Sequence, residues 1–372
     1  MHETRVRQPP SGTMAQDGGE RNGDRMTWCV DKARIAGRVR LALVVLLALI
    51  AGTVTYFYRD YRHFAETPLP QLAETIAVDV PLGTPASGVV RILDQHGIAA
   101  GNPWYWRLLA RELHVAGRLH AGEYALSPGL TPTSLLQKMA AGDVLQHHFT
   151  IVEGWTFRQL RAALAQDDGL QQTLATVDDA EIMRRLQSGG APPEGWFLPE
   201  TYSYVKGMSD FDILRRAHES MTKLLEDAWA AHPADFMLES AYQVLTLASI
   251  VEKETARVEE RPLIAGVFLH RLKLGMRLQT DPTVIYGLGA RYDGNLHRRD
   301  LDADTPYNTY TREGLPPTPI ALPGKAAVEA VMHPEPTDAL YFVARGDGTH
   351  EFSATLDAHN RAVERYQLHR NR

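Results

Sequence analysis

An uninterrupted apolar run, Leu41 to Tyr58 (LALVVLLALIAGTVTYFY), restricts the architectures open to this chain more than any other stretch. Roughly 18 residues without a charge just suffice to cross the hydrocarbon of a bilayer as a helix. Lys32, Arg34, Arg38 and Arg40 precede the run, and Tyr56, Phe57 and Tyr58 close it. Basic residues stay on the cytoplasmic side and aromatic rings settle at the interface, so the tail is expected in the cytoplasm and everything after Arg59 outside. A cleaved signal peptide also pairs basic residues with an apolar core, but such cores span ~7–15 residues and end in small residues. Length and the aromatic end favour an anchor, and Cys29, which precedes the run, is not placed like a lipid-modified cysteine.

At 372 residues the chain has room for two to three folding units. Its 44% apolar and 23% charged residues describe an ordinary folded protein. A formal charge of −6 leaves no electrostatic footprint for nucleic acid. The single cysteine excludes an intrachain disulfide framework and a zinc site built on several thiolates. Met1 to Gly23, rich in Gly, Pro and Arg without a hydrophobic period, reads as a disordered tail.

The expected organisation is a largely disordered cytoplasmic tail over 1–40, a transmembrane helix over 41–58, a stalk with Pro68 and Pro70 over 59–72, a small module over 73–150 and a larger domain over 151–372. After the stalk, three units repeat one plan of alternating strand, Gly-containing turn, Thr and helix. They start at Ile76, Glu123 and Phe149, and their helices pass through Val89, Leu135 and Leu160. Thr is a good N-cap and Pro fits a first helical turn, which gives these helices a defined start. The fold class expected is α+β. The second unit, with its Gly122-Glu123-Tyr124 strand, Pro128-Gly129 turn and Leu135-Leu136 helix, resembles LysM-type modules that bind peptidoglycan glycans; a purely structural platform is the other reading.

In the larger domain, helices are expected after Ser209 up to Ala231, from Leu238 through Glu260, and from Pro262 to Leu274 with Gly275 as its C-terminal cap. Asp281 is placed to N-cap a short helix opened by Pro282. The proline-rich loop Gly314 to Pro319 suits the rigid wall of a cleft. Trp196 and Phe197 are sugar-stacking rings or core, and a hairpin over Leu340–Ala344 and Glu351–Ser353 precedes a polar helix through His359 and Asn360.

Chemistry narrows on Glu252 and Glu254. Helix periodicity sets Glu254 among Leu247, Ile250, Val251 and Val258, and Glu252 beside Ala248, Ser249, Thr255 and Ala256. Apolar surroundings hold a carboxyl protonated, so Glu254 is the better acid, although a solvated helix surface is the commonest fate of any glutamate. Fifteen histidines form no H-E-x-x-H pattern, no G-x-S-x-G elbow is present, Ser249 and Lys253 have the wrong spacing for S-x-x-K, and Gly287-x-Gly289 is too little for a nucleotide loop. No metal or cofactor is expected, and carboxylate chemistry remains.

Several long motifs stand in one order: Ser249-Ile250-Val251-Glu252-Lys253-Glu254-Thr255, then Arg277 to Gly287 (RLQTDPTVIYG), Tyr307-Asn308-Thr309-Tyr310 and Gly314-Leu315-Pro316-Pro317. With Glu194-Gly195-Trp196-Phe197, Tyr341-Phe342-Val343 and His359-Asn360, the chain from Ile76 to Tyr366 resembles the endolytic murein transglycosylase family (MltG, YceG-like). The polar tail before the span departs from that pattern. The resemblance implies a bacterial inner-membrane, single-pass enzyme with a periplasmic catalytic domain. It would cleave MurNAc–GlcNAc bonds within peptidoglycan strands, leave 1,6-anhydro ends, and work beside cell-wall synthases and division proteins. It also implies Glu254 as the catalytic residue, acid and then base. Glu252, Gln279, Asp281, Thr283, Asn308 and Tyr310 are then expected to contact or position the sugar. Two alternatives stay open: a muramidase-like hydrolase pairing Glu254 with Asp281, and a non-catalytic membrane-anchored peptidoglycan-binding scaffold.

Overall fold

The computed structural model describes residues 23–368, apart from residues 71 and 82. The tail expected over Met1 to Gly23 therefore lies almost wholly outside the described residues. From Gly23 onward the chain is helical: α1 runs unbroken over Gly23–Glu66, through residues expected as tail on one side and as stalk on the other. Its part from Gly37 to Glu66 is apolar enough to cross a membrane. Inside the apolar run the Thr53 and Thr55 hydroxyls donate back to the carbonyls of Leu49 and Ala51, so neither hydroxyl is left unpaired among apolar side chains.

The next elements are β1 (Ile76–Val80), α2 (Ala86–Gln95), α3 (Pro103–Glu112), β2 (Gly122–Leu126) and α4 (Pro132–Ala141). The strands and helices of the first two repeated units fall where alternation placed them, and β1 pairs with β2. Helix α3 was not anticipated. Asn102 caps it by accepting from the Trp104 amide, and Trp106, Leu109 and Ala110 form its buried face. The chain divides into two compact units. One holds α1 with α2, α3 and most of α4, and the other holds β1, most of β2 and everything from residue 141 on. The segment 73–150, expected as one module, is thus shared between them.

In the second unit follow β3 (Gln146–Thr150), α5 (Phe157–Leu164), α6 (Asp179–Arg185), β4 (Thr201–Val205) and α7 (Asp210–Ala230). Thr156 and Gln159 form a full capping box at the start of α5. Antiparallel pairing of β3 with β4 sets Gln146 opposite Val205 and Thr150 opposite Thr201, a contact across about fifty residues that no local pattern announces. Around this ribbon Phe157, Leu160, Ile182, Phe197 and Ile213 make one core. Phe197 stacks on Phe157 at 4.9 Å, so it is core and not a sugar platform, while the partly buried Trp196 stacks on Tyr242.

The remaining helices are α8 (Ala241–Glu254), α9 (Arg261–Lys273), α10 (Asp281–Leu288), α11 (Arg298–Asp302) and α12 (Lys325–Met332), followed by the β5 (Tyr341–Ala344) and β6 (His350–Ser353) hairpin and α13 (Leu356–Val363). Helix α8 is the centre of the other core: every residue from Val244 to Val251 is buried, packed with Ile264, Phe268, Val328 and Val331 of α9 and α12. It is shorter than the expected Leu238–Glu260. Ser240 caps its start by accepting from the Gln243 amide, and at its end Thr255 turns into extended backbone and takes the Arg257 amide on its hydroxyl.

Candidate active site

Glu254 is the last residue of α8, so its carboxyl leaves the core helix where the backbone turns away. Three segments meet it. The loop before α10 supplies Gln279 and Thr280 and the first residue of α10 supplies Asp281, the loop after α11 supplies Tyr310, and the β5–β6 hairpin with α13 supplies Tyr341, His350 and His359. Together they enclose a cavity of about 490 Å³.

Burial pushes the Glu254 carboxyl up to about 7, and the Asp281 charge adds to the shift, while the Thr280 hydroxyl, which donates to Glu254 Oε1, and the nearby His350 oppose it. The carbonyl end of α8 also disfavours an anion there. Burial raises Glu252 as well, so contrast between apolar and polar faces does not separate the two acids. Their partners do. Glu252 accepts from the buried Arg261 guanidinium at 2.7 Å and from the Gly324 amide at 2.9 Å, and Arg261 also reaches Glu153 at 3.1 Å. A Cβ at position 324 would lie 2.0 Å from Glu153 Oε1, so any larger residue there would have to push the Glu153 side chain off this junction. Glu252 therefore ties α8 to α9 and α12 and is absent from the lining of the Glu254 cavity, contrary to its expected sugar contact. Among the described residues Glu254 has no such ion pair.

Asp281 is the first residue of α10 and not its cap, because Thr280 holds the N-cap position. Its carboxylate instead accepts from the Tyr310 hydroxyl at 2.6 Å. Burial and the neighbouring Asp281 and Glu254 keep that phenol protonated. Gln279 lines the cavity from a left-handed backbone with φ of 50°, a costly conformation for a non-glycine residue, fixed by its amide donating to the Thr309 carbonyl.

Thr283 and Asn308, expected to touch the sugar, are fully buried. Thr283 donates to the Thr280 carbonyl and meets the Thr309 hydroxyl. The Asn308 amide donates to the carbonyls of Asp300, Leu301 and Ala303, and its oxygen accepts from the Tyr310 amide. Both are positioning residues, one for Thr280 and one for Tyr310. Arg271, unremarked in the sequence, does the same for the Gln279 loop: Nη1 donates to the carbonyls of Arg277 and Leu278, and the guanidinium lies over the Tyr341 ring. An arginine in the last turn of a helix before a functional loop was the available signal.

A second cavity, about 710 Å³, lies beside the same segments, between Lys253 and Pro282, and contains Glu194. Burial lifts Glu194 to about 7 too, but both its oxygens are engaged, by the Phe157 amide at 2.9 Å and the Tyr286 hydroxyl at 3.0 Å. The proline-rich loop does not wall the Glu254 cavity; Gly314 to Pro317 line a separate hollow against Tyr242 and Thr246, and Ile320 is tied by its amide to Ser249.

Residues 78–365, which include the acid at the end of α8 and the strained loop that faces it, match the model of the YceG-like family, to which the chain belongs. Its relatives include the endolytic murein transglycosylase of Bacillus subtilis strain 168, 31% identical over 314 residues that cover 80% of this chain and 86% of that protein. The endolytic murein transglycosylase of Streptococcus pneumoniae serotype 2 strain D39 is 26% identical over 360 residues, 87% of this chain but 64% of the longer relative. A crystal structure of a yceG-like protein from Listeria monocytogenes superposes with a TM-score of 0.50 at 32% identity, over 77% of this chain and 99% of that one.

Proposed function

We propose that the chain is a membrane-anchored lytic transglycosylase that cuts peptidoglycan glycan strands internally, as the names of its relatives suggest, with Glu254 as the single acid and base. One observation carries this reading: a half-buried carboxyl poised near neutral pH opens on a cavity and is met by a neutral hydroxyl, with no ion pair among the described residues to hold it charged. Protonated Glu254 donates to the glycosidic oxygen as the bond to the anomeric carbon breaks. The resulting carboxylate takes the proton from the C6 hydroxyl of the same muramyl residue as that oxygen closes on C1. The proton count balances, no water is consumed, and a 1,6-anhydro end results. Asp281 and Tyr310 face the developing oxocarbenium charge, and Gln279 orients the ring.

A hydrolytic reading draws on the same cavity, since the Asp281 charge bears on Glu254 and could steer a water. Digestion of purified peptidoglycan followed by mass spectrometry separates the two: anhydro ends support the lytic reaction, and reducing ends establish hydrolysis in its place. An inert scaffold would leave Glu254→Gln cells with full function. In this proposal α1 spans the inner membrane with the catalytic unit in the periplasm.

A further inference from the structure

Helix α3 carries two large apolar side chains in solvent. Trp104 is 67% exposed and Leu108 48%, one turn apart, whereas Trp106, Leu109 and Ala110 on the opposite side are buried. Arg107 and Arg111 are exposed on the Trp104 side, and the Arg107 guanidinium lies 5.0 Å over the Trp104 ring. We propose that this face of α3 lies on the bilayer surface, with Trp104 and Leu108 among the lipid headgroups and Arg107 and Arg111 on anionic phosphates. The inference rests on the reading of α1 as a membrane-spanning helix.

Three relationships place the face. The first is height. The Tyr105 hydroxyl donates to Asp60 at 2.6 Å, and the Tyr61 ring packs against Tyr105. Asp60 is two residues beyond the end of the apolar run at Tyr58, ~3 Å along a helix axis. The headgroup zone on each side of a bilayer is roughly 5–7 Å deep, so α3 meets α1 within it.

The second is direction. Tyr61 touches Tyr105 with its ring and donates its hydroxyl to Glu112, which lies ~10 Å farther along α3. Tyr105 and Glu112, so far apart along α3, both meet the single turn of α1 from Asp60 to Phe64, as a helix laid across α1 would. In the proposed arrangement α3 runs along the membrane surface.

The third is facing. Phe64, one turn farther from the bilayer than Asp60, packs on Trp106 at 5.6 Å. The Trp106 side of α3 thus points away from the lipid. Trp104, two residues earlier, is rotated by about 200° and points toward it. Tryptophan and arginine are the side chains that favour this zone, the ring by its amphipathic character and the guanidinium by attraction to anionic headgroups.

The test uses the full chain, with Cys29→Ser, reconstituted in vesicles of phosphatidylethanolamine and phosphatidylglycerol and spin-labelled at single introduced cysteines. Collision with oxygen, which partitions into lipid, is compared with collision with a water-soluble nickel chelate. A label at Leu108→Cys is expected to show an oxygen-to-nickel accessibility ratio severalfold above that at Lys223→Cys on α7, and Trp104→Ala should lower it. Equal ratios at 108 and 223 overturn the proposal. A label at Val45→Cys reads the anchor: lipid exposure at 45 with an aqueous 108 rejects the docked face alone, and an aqueous 45 rejects the spanning helix and the docked face with it.

Discussion

The Thr280 hydroxyl donates to Glu254 Oε1 from 26 residues away in the chain, joining the loop before α10 to the end of α8. The bond favours the carboxylate and opposes the burial that raises the acid to about 7. Replacing Thr280 with Val removes the donor, so the Glu254 pKa rises further. The alkaline limb of kcat/KM, where the acid loses its proton, is expected to move to higher pH, with the acidic limb unchanged. Glu254→Gln, by contrast, is expected to lower kcat by ~10²–10⁴-fold at every pH. An unmoved alkaline limb in Thr280→Val would separate that limb from Glu254.

Arg261 is 3% exposed and its guanidinium is shared by Glu252 and Glu153. Arg261→Met leaves the Glu252 carboxylate buried beside an apolar side chain, an expected loss of about 3–5 kcal/mol. Glu252→Gln, which keeps an acceptor for the Gly324 amide, should cost less and leave much of the glycan cleavage intact. Denaturant melts and activity measured on the same preparations check the pair. A Glu252→Gln variant as inactive as Glu254→Gln would put the reacting proton on the wrong residue here.

Asn308 and Tyr310 should part company in the same way. Asn308→Ala strips partners from three carbonyls and from the Tyr310 amide, and each buried polar group left unpaired costs about 1–3 kcal/mol. Its signature is a lowered melting temperature. Tyr310→Phe removes only the bond to Asp281, so kcat should fall while the melt stays close to the parent.

How far the sequence reached can be read from these residues. The apolar helical period around Glu254 was legible, although it did not separate that acid from Glu252, which burial raises as well, and the repeated strand-turn-helix units were legible because they are local. The burial of Thr283 and Asn308 was not legible, because a polar residue in a loop motif looks the same in sequence whether it faces a ligand or holds a backbone. Strand β4 stayed hidden because its partner is some fifty residues upstream, and the Thr280–Glu254 bond for a similar reason. Asp281 satisfied the rule for a cap, yet Thr280 occupied that position one residue earlier and freed the carboxylate for Tyr310.

Glu194 offers a stability test independent of catalysis. Its folded value of about 7 exceeds the ordinary 4.5, so the fold binds this proton more tightly than the unfolded chain does. The contribution is complete below pH 4.5 and is lost as pH rises through about 7, on the order of 3 kcal/mol in all. Glu194→Gln does not titrate. The melting temperature of the parent relative to this variant, measured on the full chain in detergent, should therefore fall between pH 5 and pH 8. Parallel curves would contradict the assignment.

Gln279 allows strain to be separated from use. Gln279→Gly relieves a left-handed conformation that costs a side chain roughly 1–2 kcal/mol, so stability should hold or rise. Turnover should drop, because the amide that lines the Glu254 cavity is gone. A variant with full turnover would reduce the residue to a turn former.

The unbroken course of α1 from Gly23 to Glu66 makes it a phase-setting shaft. Each residue added between Tyr58 and Asp60 would turn everything clamped to Asp60, Tyr61 and Phe64 by about 100° and shift it by about 1.5 Å. Only insertions near a whole number of turns, such as seven residues, would return α3 to its original bearing, and then some 10 Å farther out. The chain counts residues here as a screw counts threads.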